Sequence, residues 1–571
     1  MTSRLRAPWL LSLATALGCF GVSNISRAAD FYVDPAAGSM AGDGSQARPW
    51  STLEEVVAAN LIATENWSSL PYVAGATLQP KNAGAPVKAG DTLWLKTGYH
   101  GRLDLTGYYN PSDITIAAAP GESPRLASAL IRAGKNWIIR GLLISQDYAP
   151  SYQRGTMFTL DSHNYSGPVS DVVVEGCSLS SVADASGWSA SDWDNLASNG
   201  FDVDGSNMTI RGNQLKNVNF GISVSATDSL IEGNTVDSFS GDGMRGLGDH
   251  TTFQYNVVKN CYDVNDNHDD GFQSWSNGPG GVGSGEVTGI VLRGNIIINY
   301  EDPSQPLRGP LQGIGCFDGT FVDWVVENNV IITDHWHGIS LYGARNVRVV
   351  NNTVLDPNAD SPGPPWIKIT EHKDGTPPEN CVVRNNLATA FTSSSTGVTE
   401  DHNVVLDDLS KYFVNPPYDL HLLDDSPAID QGSSDLAPLQ DIERIPRPQG
   451  SAFDVGAYEW HDPSVTPPDA GVGGTGNAGS GGDAGSGHGG AQSGGGGGAG
   501  DAGAGNADAG NAGGSAGTTN ASAAGDDGGC GCRTSRRGPP TQALLLGLGL
   551  GLAALRRRAP RKARRSPRAS G

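Results

Sequence analysis

Short runs of alternating apolar and polar residues recur through the middle of this chain, and a Gly-Asn or Asn-Asn pair (once Tyr-Asn) lies between them. Runs such as Met208–Ile210 and Gln214–Leu215 have the length of strands, and they lack the 3.6-residue period of a helix. Successive pairs are 21, 22, 39, 34, 23 and 34 residues apart. The second members of the pairs are Asn213, Asn234, Asn256, Asn295, Asn329, Asn352 and Asn386.

A unit of roughly 20–25 residues cannot bury an apolar face by itself, so the repetition predicts the stacked coils of a solenoid. Asn is expected at the turns because it tolerates the left-handed backbone region, and stacking would bring the Asn side chains into a ladder. The pattern resembles the right-handed parallel β-helix repeat family. That resemblance implies an all-β fold, a right-handed parallel β-helix, with its repeats in residues 150–403.

Residues 30–149 are predicted to form an N-terminal cap and the first coils. Ser51–Glu54 has the pattern of a helix capping box, and Leu53–Asn60 predicts a short helix that covers the open end of the solenoid. Strands are predicted at Asp91–Lys96, Asp113–Ala117 and Asn136–Arg140.

Two segments outside the repeats resemble parts of known β-helix proteins. Tyr32–Asp34 and Arg48–Leu53 resemble the opening of many secreted bacterial β-helix proteins, including polysaccharide lyases. Asp425–Asp430 and Phe453–Glu459 resemble a closing module of surface-anchored β-helix proteins. Residues 404–461 are therefore predicted to form a C-terminal cap module.

The two ends of the chain predict export and attachment. Residues 1–29 have the basic start, apolar run and small residues of a secretory signal peptide. Residues 462–529 consist mainly of Gly, Ala, Ser, Asn and Asp, which predicts a disordered linker. Residues 530–571 contain Cys530 and Cys532, a short apolar run and a basic tail, and they resemble the MYXO-CTERM sorting signal. A plain membrane anchor is the alternative, and either predicts a protein tethered to the cell envelope through its C-terminal segment.

The charge of the chain excludes one class of partner. The formal net charge is −22, although eleven of the 38 Lys and Arg residues follow Cys532, so the body is strongly acidic. This argues against nucleic acid as a partner and favours cations, above all calcium. Cys177, Cys261, Cys316 and Cys381 occupy different places in the repeat and are predicted to be mostly buried free thiols with at most one bridge. We expect a monomer.

A second set of columns follows when the units are aligned on a recurring Gly. Alternate residues of a strand face opposite sides, so the apolar residue after each Gly is expected to point inward and the next one outward. The outward column is Asp202, Ser223, Arg245, Gln273, Gly315, Ser340 and Lys368. Two residues further on are Asp204, Ser225, Leu247, Trp275, Phe317 and Tyr342. Before the Gly are Asn199, Phe220, Asp242, Asp270, Gln312 and His337, whose outward direction is an assumption.

These columns predict a polar, aromatic groove. Coils stack about 4.8 Å apart, so the groove would be roughly 30 Å long and would suit an extracellular polysaccharide, since sugars hydrogen-bond to amides and carboxylates and stack on aromatic rings. The predicted substrate-binding residues are Asp202, Asp204, Gln273, Trp275, Gln312 and Tyr342. An ordinary solvated sheet face is the alternative.

The densest group of polar residues is Asp263–Gly271. It predicts a calcium site, a set of turn-forming residues, or catalysis. The metal-ligand candidates are Asp263, Asn265, Asp266 and Asp269. Asp242 and Asp270 share a column on neighbouring coils, which would place their carboxylates about 5 Å apart and split their pKa values. The catalytic candidates are Asp242, Arg245, His268, Asp269, Asp270, His337 and Lys368.

Three functions are compatible with this pattern. The first is a calcium-assisted polysaccharide lyase, in which a cation neutralises a uronate carboxylate and a base removes the C5 proton. The second is a glycoside hydrolase, or a uronate C5-epimerase that shares the proton abstraction. Four motifs resemble those of polygalacturonase-type enzymes and imply Asp269 and Asp270 as acid and base; they are Asp202/Asp204, His268–Gly271, His337–Ser340 and Trp366–Lys368. The third is a surface carbohydrate-binding or adhesion protein without catalysis.

Overall fold

The repeats form faces of short parallel strands, in which each strand pairs with the equivalent strand one coil away. The computed structural model describes residues 28–358 and 361–462. Phe201, Ile222, Met244 and Phe272 are direct partners on four successive strands. The chain is a right-handed parallel β-helix, and the fold prediction is confirmed. Three predicted segments lie mostly or wholly outside the described residues. They are the predicted signal peptide apart from its last two residues, nearly all of the predicted linker, and the predicted sorting signal.

Each coil contributes to three faces. The first face carries the recurring Gly and is called the groove sheet; its strands are Thr156–Asp161, Asn199–Val203, Ile222–Val224, Met244–Gly246, Asp270–Trp275, Gln312–Asp318, His337–Tyr342, Trp366–Thr370 and Ala390–Phe391. The second face consists of Ser170–Glu175, Thr209–Arg211, Leu230–Glu232, Thr252–Gln254, Val291–Arg293, Val325–Glu327, Arg348–Val350, Cys381–Arg384 and Val398–Asp401. Leu103–Ala118 and Ala129–Arg140 run through both faces, so these two form one 24-stranded sheet.

The third face is a separate 12-stranded sheet. Its strands are Gly98–Tyr99, Pro124–Leu126, Leu143–Ile144, Ser178–Ser180, Gln214–Val218, Thr235–Phe239, Val257–Cys261, Ile296–Ile298, Val330–Ile332, Thr353–Leu355, Leu387–Ala388 and Val404–Val405. The other strands are Asp30–Val33, Thr64–Trp67, Leu78–Lys81, Thr92–Leu95, Asn277–Gly278, Gly281–Val282, Glu286–Thr288, Thr320–Val322, Ala344–Arg345, Phe413–Asn415 and Asp419–Leu422. The helices are Leu53–Ala58 and Ala190–Leu196, with single 3₁₀ turns at Gln146–Tyr148 and Leu409–Lys411. Within the described ranges, no helix has the length and apolar character that a membrane crossing needs.

The Asn residues of the repeat form a continuous ladder inside the coils. Each Nδ2 donates to Oδ1 of the Asn one coil on at 2.9–3.0 Å, and the ladder continues beyond Asn386 to Asn403. Each backbone N–H of the ladder up to Asn386 donates to the same oxygen. The amides are therefore satisfied although they are buried, which removes the cost of placing polar groups in an apolar interior.

The residue before each ladder Asn adopts the left-handed backbone conformation. The prediction that the ladder Asn itself adopts this conformation was wrong. The φ angle is +61° at Gly212, +54° at Tyr255 and +54° at Asn328. The first residue of each pair turns the chain, and the second directs its amide into the ladder. Gly and Asn are favoured at the first position because they adopt this region at the lowest cost.

The predicted N-terminal helix is present over Leu53–Ala58. Its N-cap is Thr52, whose Oγ1 accepts the Glu55 N–H at 3.2 Å, so the N-cap lies one residue later than in the predicted capping box Ser51–Glu54. Leu53 and Val56 are fully buried in the main core. The helix thus covers apolar side chains that the first coils would otherwise expose to water.

The predicted C-terminal cap module does not lie where an end cap would. Strands such as Ile296–Ile298 are apolar on both faces, and Ile298 and Leu355 pack outside the coils against Leu420 and Val455 of the module. Asn351 Nδ2 also donates to the Asp454 carbonyl at 3.0 Å. The module therefore covers the outer side of the third face along several coils, because this side is too apolar to face water.

The four Cys residues of the repeat body are buried and free, as predicted.

The ladder predicts a large stability effect for one buried side chain. Asn295→Ala leaves the backbone N–H of Asn256 without its acceptor, removes one of the two hydrogen bonds of Asn256 Nδ2, and removes the side-chain donor to the Phe253 carbonyl. We expect a loss on the order of 3 kcal/mol in the free energy of unfolding, measured by urea denaturation. The control Gln214→Ala, at an exposed strand position, should change stability by less than about 0.5 kcal/mol. Equal effects of the two variants would contradict the role given to the ladder.

Candidate functional site

Insertions flank the groove sheet at both ends of its strands. Segments 181–198, 262–269, 299–311 and 356–365 precede groove strands, and segments 276–290 and 371–380 follow them. These insertions account for the intervals of more than 30 residues between successive Asn pairs. In solenoids, insertions gather around the face that binds ligands, so the groove sheet is the candidate functional face.

The outward column occupies one row across the groove sheet, as predicted. Direct pairing joins each member to the next across successive strands. The members are Asp202, Ser223, Arg245, Gln273, Gly315, Ser340 and Lys368. Asp202 is three coils from Gln273, roughly 14 Å at the usual spacing of strands. The polygalacturonase-like motifs therefore do not meet at one point, and Asp202 and Asp204 lie far from Asp270.

The second column is interrupted at its centre. The pairing register shifts between Ser274 and Trp275, so Trp275 lies opposite Asp318 and not opposite Phe317. Phe317 is the extra residue of this bulge. Its ring contacts the rings of His337 and Tyr342, with centroids 4.7 and 5.3 Å apart. A bulge of this kind redirects a side chain, and here it places an aromatic ring over the middle of the groove.

Three members of the third column, Asp242, Asp270 and Gln312, form a buried floor under the groove, which corrects the assumption that they point out to solvent. The other three members, Asn199, Phe220 and His337, are half-buried. The exposed fraction is 1 % for Asp242, 0 % for Asp270 and 8 % for Gln312. Asp242 Oδ1 accepts the backbone N–H of Asp270 at 3.1 Å, which confirms that the two lie on neighbouring coils. Gln273 Nε2 donates to Asp270 Oδ2 at 2.9 Å.

Three carboxyl groups share this floor with one cation. Arg245 Nε donates to Asp242 Oδ2 at 2.5 Å. Of the three carboxyl groups, Asp242 is therefore the one whose charged form is stabilised by a cation. Burial raises the pKa of Asp270 well above its usual value, and the charge of Asp242 raises it further. Burial also raises the pKa of Asp269, which accepts a hydrogen bond from Asn267 Nδ2 at 2.8 Å. One Arg cannot neutralise three buried carboxylates, so burial favours the protonated form of Asp269 and Asp270.

Arg245 is held at the edge of this floor. Its guanidinium carbon lies 3.8 Å from the ring centroid of Phe220 and 5.4 Å from that of Trp275. The side chain keeps 20 % exposure, so one part pairs with Asp242 and another faces the groove. The aromatic rings restrict its rotamers and stabilise its charge.

Gly315 leaves room for two buried oxygens that have no hydrogen-bond partner. A Cβ built on Gly315 would lie 2.1 Å from Asp270 Oδ1 and 3.0 Å from Gln312 Oε1. Neither oxygen has a partner in the described part of the chain. A neutral Asp270 carries a proton that it can donate, so the space above Gly315 contains a buried acid with one oxygen directed toward the groove.

The other end of the site is a cluster of imidazole, indole and ammonium groups. The rings of His335 and His337 stack with centroids 5.2 Å apart, and Trp336 lies parallel to Trp366 at 6.3 Å. Lys368 Nζ lies 5.1 Å from the Trp366 ring and 5.4 Å from that of Tyr342. The loop residue His268 is near enough to lower the pKa of both His335 and His337.

Four members of this cluster were not among the predicted site residues: His335, Trp336, Ser340 and Trp366. Trp336, with 42 % of its surface exposed, and Trp366 form an aromatic platform. Ser340 is fully buried and contacts both His337 and Trp366. The dipeptide His335-Trp336 before a groove strand was the available signal for the platform, but the approach of Trp336 to Trp366 depends on the register shift between His337 and Ile339, which pairs His337 with Trp366.

The acidic loop does not assemble the predicted calcium ligands. Asp263 lies against Gly309, Asn265 Nδ2 donates to Asp194 at 2.9 Å, and Asn265 Oδ1 accepts the Asn267 N–H at 2.8 Å. Asp266 is exposed, while Asp269 is buried. Across residues 28–358 and 361–462, no three acidic, His or Cys side chains converge as a metal site requires. Calcium binding by this loop therefore stays a prediction, and Asn265 accepts the Asn267 N–H in a local turn.

A helix in the first insertion supports this loop. Trp193 of Ala190–Leu196 stacks on Tyr262 with centroids 4.4 Å apart, and Asp194 accepts the hydrogen bond from Asn265. Val264 and Leu307 pack around the same cluster. Insertions 181–198 and 299–311 therefore pack against the loop that carries His268 and Asp269.

The fold and these side chains define a right-handed parallel β-helix with a built groove on one face. Residues 199–363 match a family model described as a right handed beta helix region. No curated protein matches the chain by sequence.

Solved structures similar to this chain have different functions. They include the pectate lyase Pel9A (14 % identity, 77 % of this chain and 98 % of that chain, TM-score 0.40). They also include a GH136 lacto-N-biosidase from Eubacterium ramulus (11 %, 65 % and 68 %, TM-score 0.30). A third is PfbA, a surface adhesin of Streptococcus pneumoniae (11 %, 55 % and 81 %, TM-score 0.33). At this level of similarity they carry no argument about function.

The raised pKa of Asp270 predicts how stability depends on pH. The folded protein keeps the Asp270 proton, so this stabilisation is full below the usual pKa of 3.8 and is lost as pH rises toward the folded-state value. Asp270→Asn replaces the acid with a neutral side chain of similar shape. The variant therefore does not lose this part of its stability as pH rises. We expect the variant to gain stability relative to the parent from pH 4 to 7, by up to about 1.4 kcal/mol per pH unit. Urea unfolding at each pH measures it, with the exposed Asp113→Asn as control; a difference that does not change with pH would refute the neutral acid.

Proposed function

We propose that this protein is an exported polysaccharide lyase, which binds a uronate-containing extracellular polysaccharide along the groove and cleaves it by β-elimination. One observation carries the proposal. The outward row from Arg245 to Lys368 carries cations and hydrogen-bond donors with aromatic rings beside them, while the carboxyl groups of Asp242, Asp269 and Asp270 are buried and burial raises the pKa of each. The carboxylate of Asp318, at the edge of this row, is paired with Lys373. Such a surface suits a chain of sugar rings that carry carboxylates.

The spacing of the cations suits several sugars at once. Arg245 and Lys368 are four coils apart, which separates them by roughly 19 Å. Gln273, Gly315 and Ser340 lie between them in the same row. The groove sheet continues past both ends of this row, to Ser223 and to Ala390–Phe391, so a polymer longer than the row can follow the sheet and be cut internally.

The side chains can be assigned to the steps of an elimination. Arg245, one coil from Asp270, holds the uronate carboxylate of the sugar that is cleaved and stabilises the negative charge that develops when C5 loses its proton. Lys368, three coils from Asp270, binds the carboxylate of another sugar of the chain. His268 is the base that accepts this proton, since it is an exposed imidazole on the loop beside the cluster. The electron pair forms the C4–C5 double bond as the bond from C4 to the glycosidic oxygen breaks. The leaving oxygen takes a proton from Asp270, once the Phe317 ring moves aside.

Hydrolysis is the second candidate, and one observation favours it. Asp242 and Asp270 are neighbouring carboxyl groups in which Arg245 stabilises one charge and burial keeps the other acid neutral. Opposite protonation states of two carboxyl groups are the requirement for an acid paired with a base or nucleophile.

Uronate C5-epimerisation shares the proton abstraction with the lyase. Calcium is not needed for the steps above, and its involvement stays a prediction.

The location of the enzyme is part of the same proposal. The signal peptide and the C-terminal segment would place the groove outside the cell and tether it to the envelope. An extracellular polysaccharide would then be the accessible substrate.

The reaction can be identified with a panel of polymers. We expect the exported chain to release products with the ultraviolet absorbance of an unsaturated uronate from alginate, pectate or a glycosaminoglycan, and nothing from neutral glucans or carboxyl-reduced polymer. Parallel reactions with calcium and with chelator test the metal. New reducing ends without absorbance would establish hydrolysis instead. No product from any polymer would favour a binding or adhesion protein.

Gly315 provides a test of the site that preserves every catalytic side chain. Gly315→Ala places a methyl group where Asp270 Oδ1 lies, so the acid must move. We expect kcat to fall at least about tenfold, which corresponds to 1.4 kcal/mol in the barrier, while the fold is retained. Ser223→Ala, in the same outward column but two coils from Gln273, is the matched control and should keep full activity. Equal activity of the two variants would exclude Asp270 from the reaction.

A further inference from the structure

The hydrogen bonds of His335 fix the position of its proton. The backbone N–H of His337 donates to His335 Nδ1 at 3.1 Å. A main-chain N–H can only donate, so Nδ1 carries no proton. The neutral ring must then carry its proton on Nε2. No protein partner of this Nε2 is present among the described residues, which leaves it available to a ligand.

The hydrogen bonds of Ser340 fix the proton of His337 in the same way. Trp366 Nε1–H donates to Ser340 Oγ at 3.1 Å, and the same oxygen lies 2.8 Å from His337 Nδ1. Ser340 is fully buried, and its hydroxyl proton needs an acceptor. Nδ1 of His337 is the acceptor that the described part of the chain provides. The hydrogen bonds are donated from Trp366 to Ser340 and from Ser340 to His337. His337 therefore also carries its proton on Nε2.

Both rings are neutral in the pH range where proteins work. Burial lowers the pKa of His335 to about 4, with a further effect of His268. Burial lowers the pKa of His337 to about 3, and His335, Lys368 and His268 add to the effect. The stacked rings thus hold two N–H donors side by side without a positive charge of their own.

We propose that His335 and His337 form a paired imidazole donor site for one carboxylate of the bound polysaccharide, and that Ser340 is the positioning residue that keeps the His337 proton on Nε2. This inference rests on the proposed function for the identity of the carboxylate, but not for the tautomers. Two adjacent donors match the two oxygens of a carboxylate, and Lys368 supplies the opposite charge nearby. The exposed face of Trp336 is placed to stack on the sugar ring that bears it.

The tautomers can be measured without any substrate. The full chain, labelled with ¹⁵N-histidine, should show at pH 7 two imidazoles with protonated Nε2 and unprotonated Nδ1 that vanish in His335→Gln and His337→Gln respectively. In Ser340→Ala the His337 signals should move toward the opposite tautomer, and Ser340→Thr, which keeps the hydroxyl, should restore them. The reverse tautomer in the parent chain, or unchanged signals in Ser340→Ala, would overturn the inference.

A second arm tests the ligand. Saturating alginate or pectate oligosaccharides should shift both Nε2 signals, whereas their carboxyl-reduced forms should not. In Ser340→Ala, KM for the uronate polymer should rise at least fivefold with a smaller change in kcat, and Ser340→Thr should recover most of it. Cleavage of a uronate polymer without any shift of the Nε2 signals would overturn the carboxylate role while leaving the lyase standing. Failure of every uronate polymer to react or to shift the signals would overturn both the carboxylate role and the proposed function, whatever the tautomers are.

Discussion

The register between coils is the constraint on which the rest of the structure depends. Side chains alternate with a period of two along a strand, so a slip of one residue between coils would turn the whole outward row into the core. The Asn ladder opposes this slip at every coil from Asn213 to Asn403, because each buried amide has its partners only when the coils are aligned. Backbone pairing alone would not distinguish neighbouring registers, whereas an unsatisfied buried amide costs free energy at each step.

Charged side chains on the second face support the same register from outside. Glu175 lies between Arg140 and Arg211 and pairs with both, and Glu327 pairs with Arg293 at 2.6 Å. Opposite charges alternate over most of this column, with Gln254 and Val350 as the interruptions, and a slip would remove these pairings. Each exposed ion pair contributes little, typically less than about 1 kcal/mol. Their effect lies in specificity, since the wrong register is penalised along the whole column.

Local pattern predicted the fold and the outward row because both follow from the sequence period. The Gly before each groove strand and the Asn pair after it were enough to align Arg245 with Gln273 and Lys368. The same reasoning failed where contacts are non-local. The bulge at Phe317, the approach of Trp336 to Trp366 and the packing of Leu420 on the third face each depend on a segment distant in sequence. The direction of Asp242 and Asp270 also lay beyond the pattern, because they stand at the turn where alternation ends.

The buried acids explain how an acidic protein presents a groove suited to an anionic polymer. Three ionised carboxylates under the groove would repel a uronate chain and would cost several kcal/mol each to bury. Proton binding by Asp269 and Asp270 removes most of that charge, and Arg245 offsets Asp242. Lys368 and the imidazoles then dominate the local field, although the whole chain carries a charge of −22. Because fields act over about 10 Å in physiological salt, this local arrangement and not the net charge decides which polymer the groove accepts.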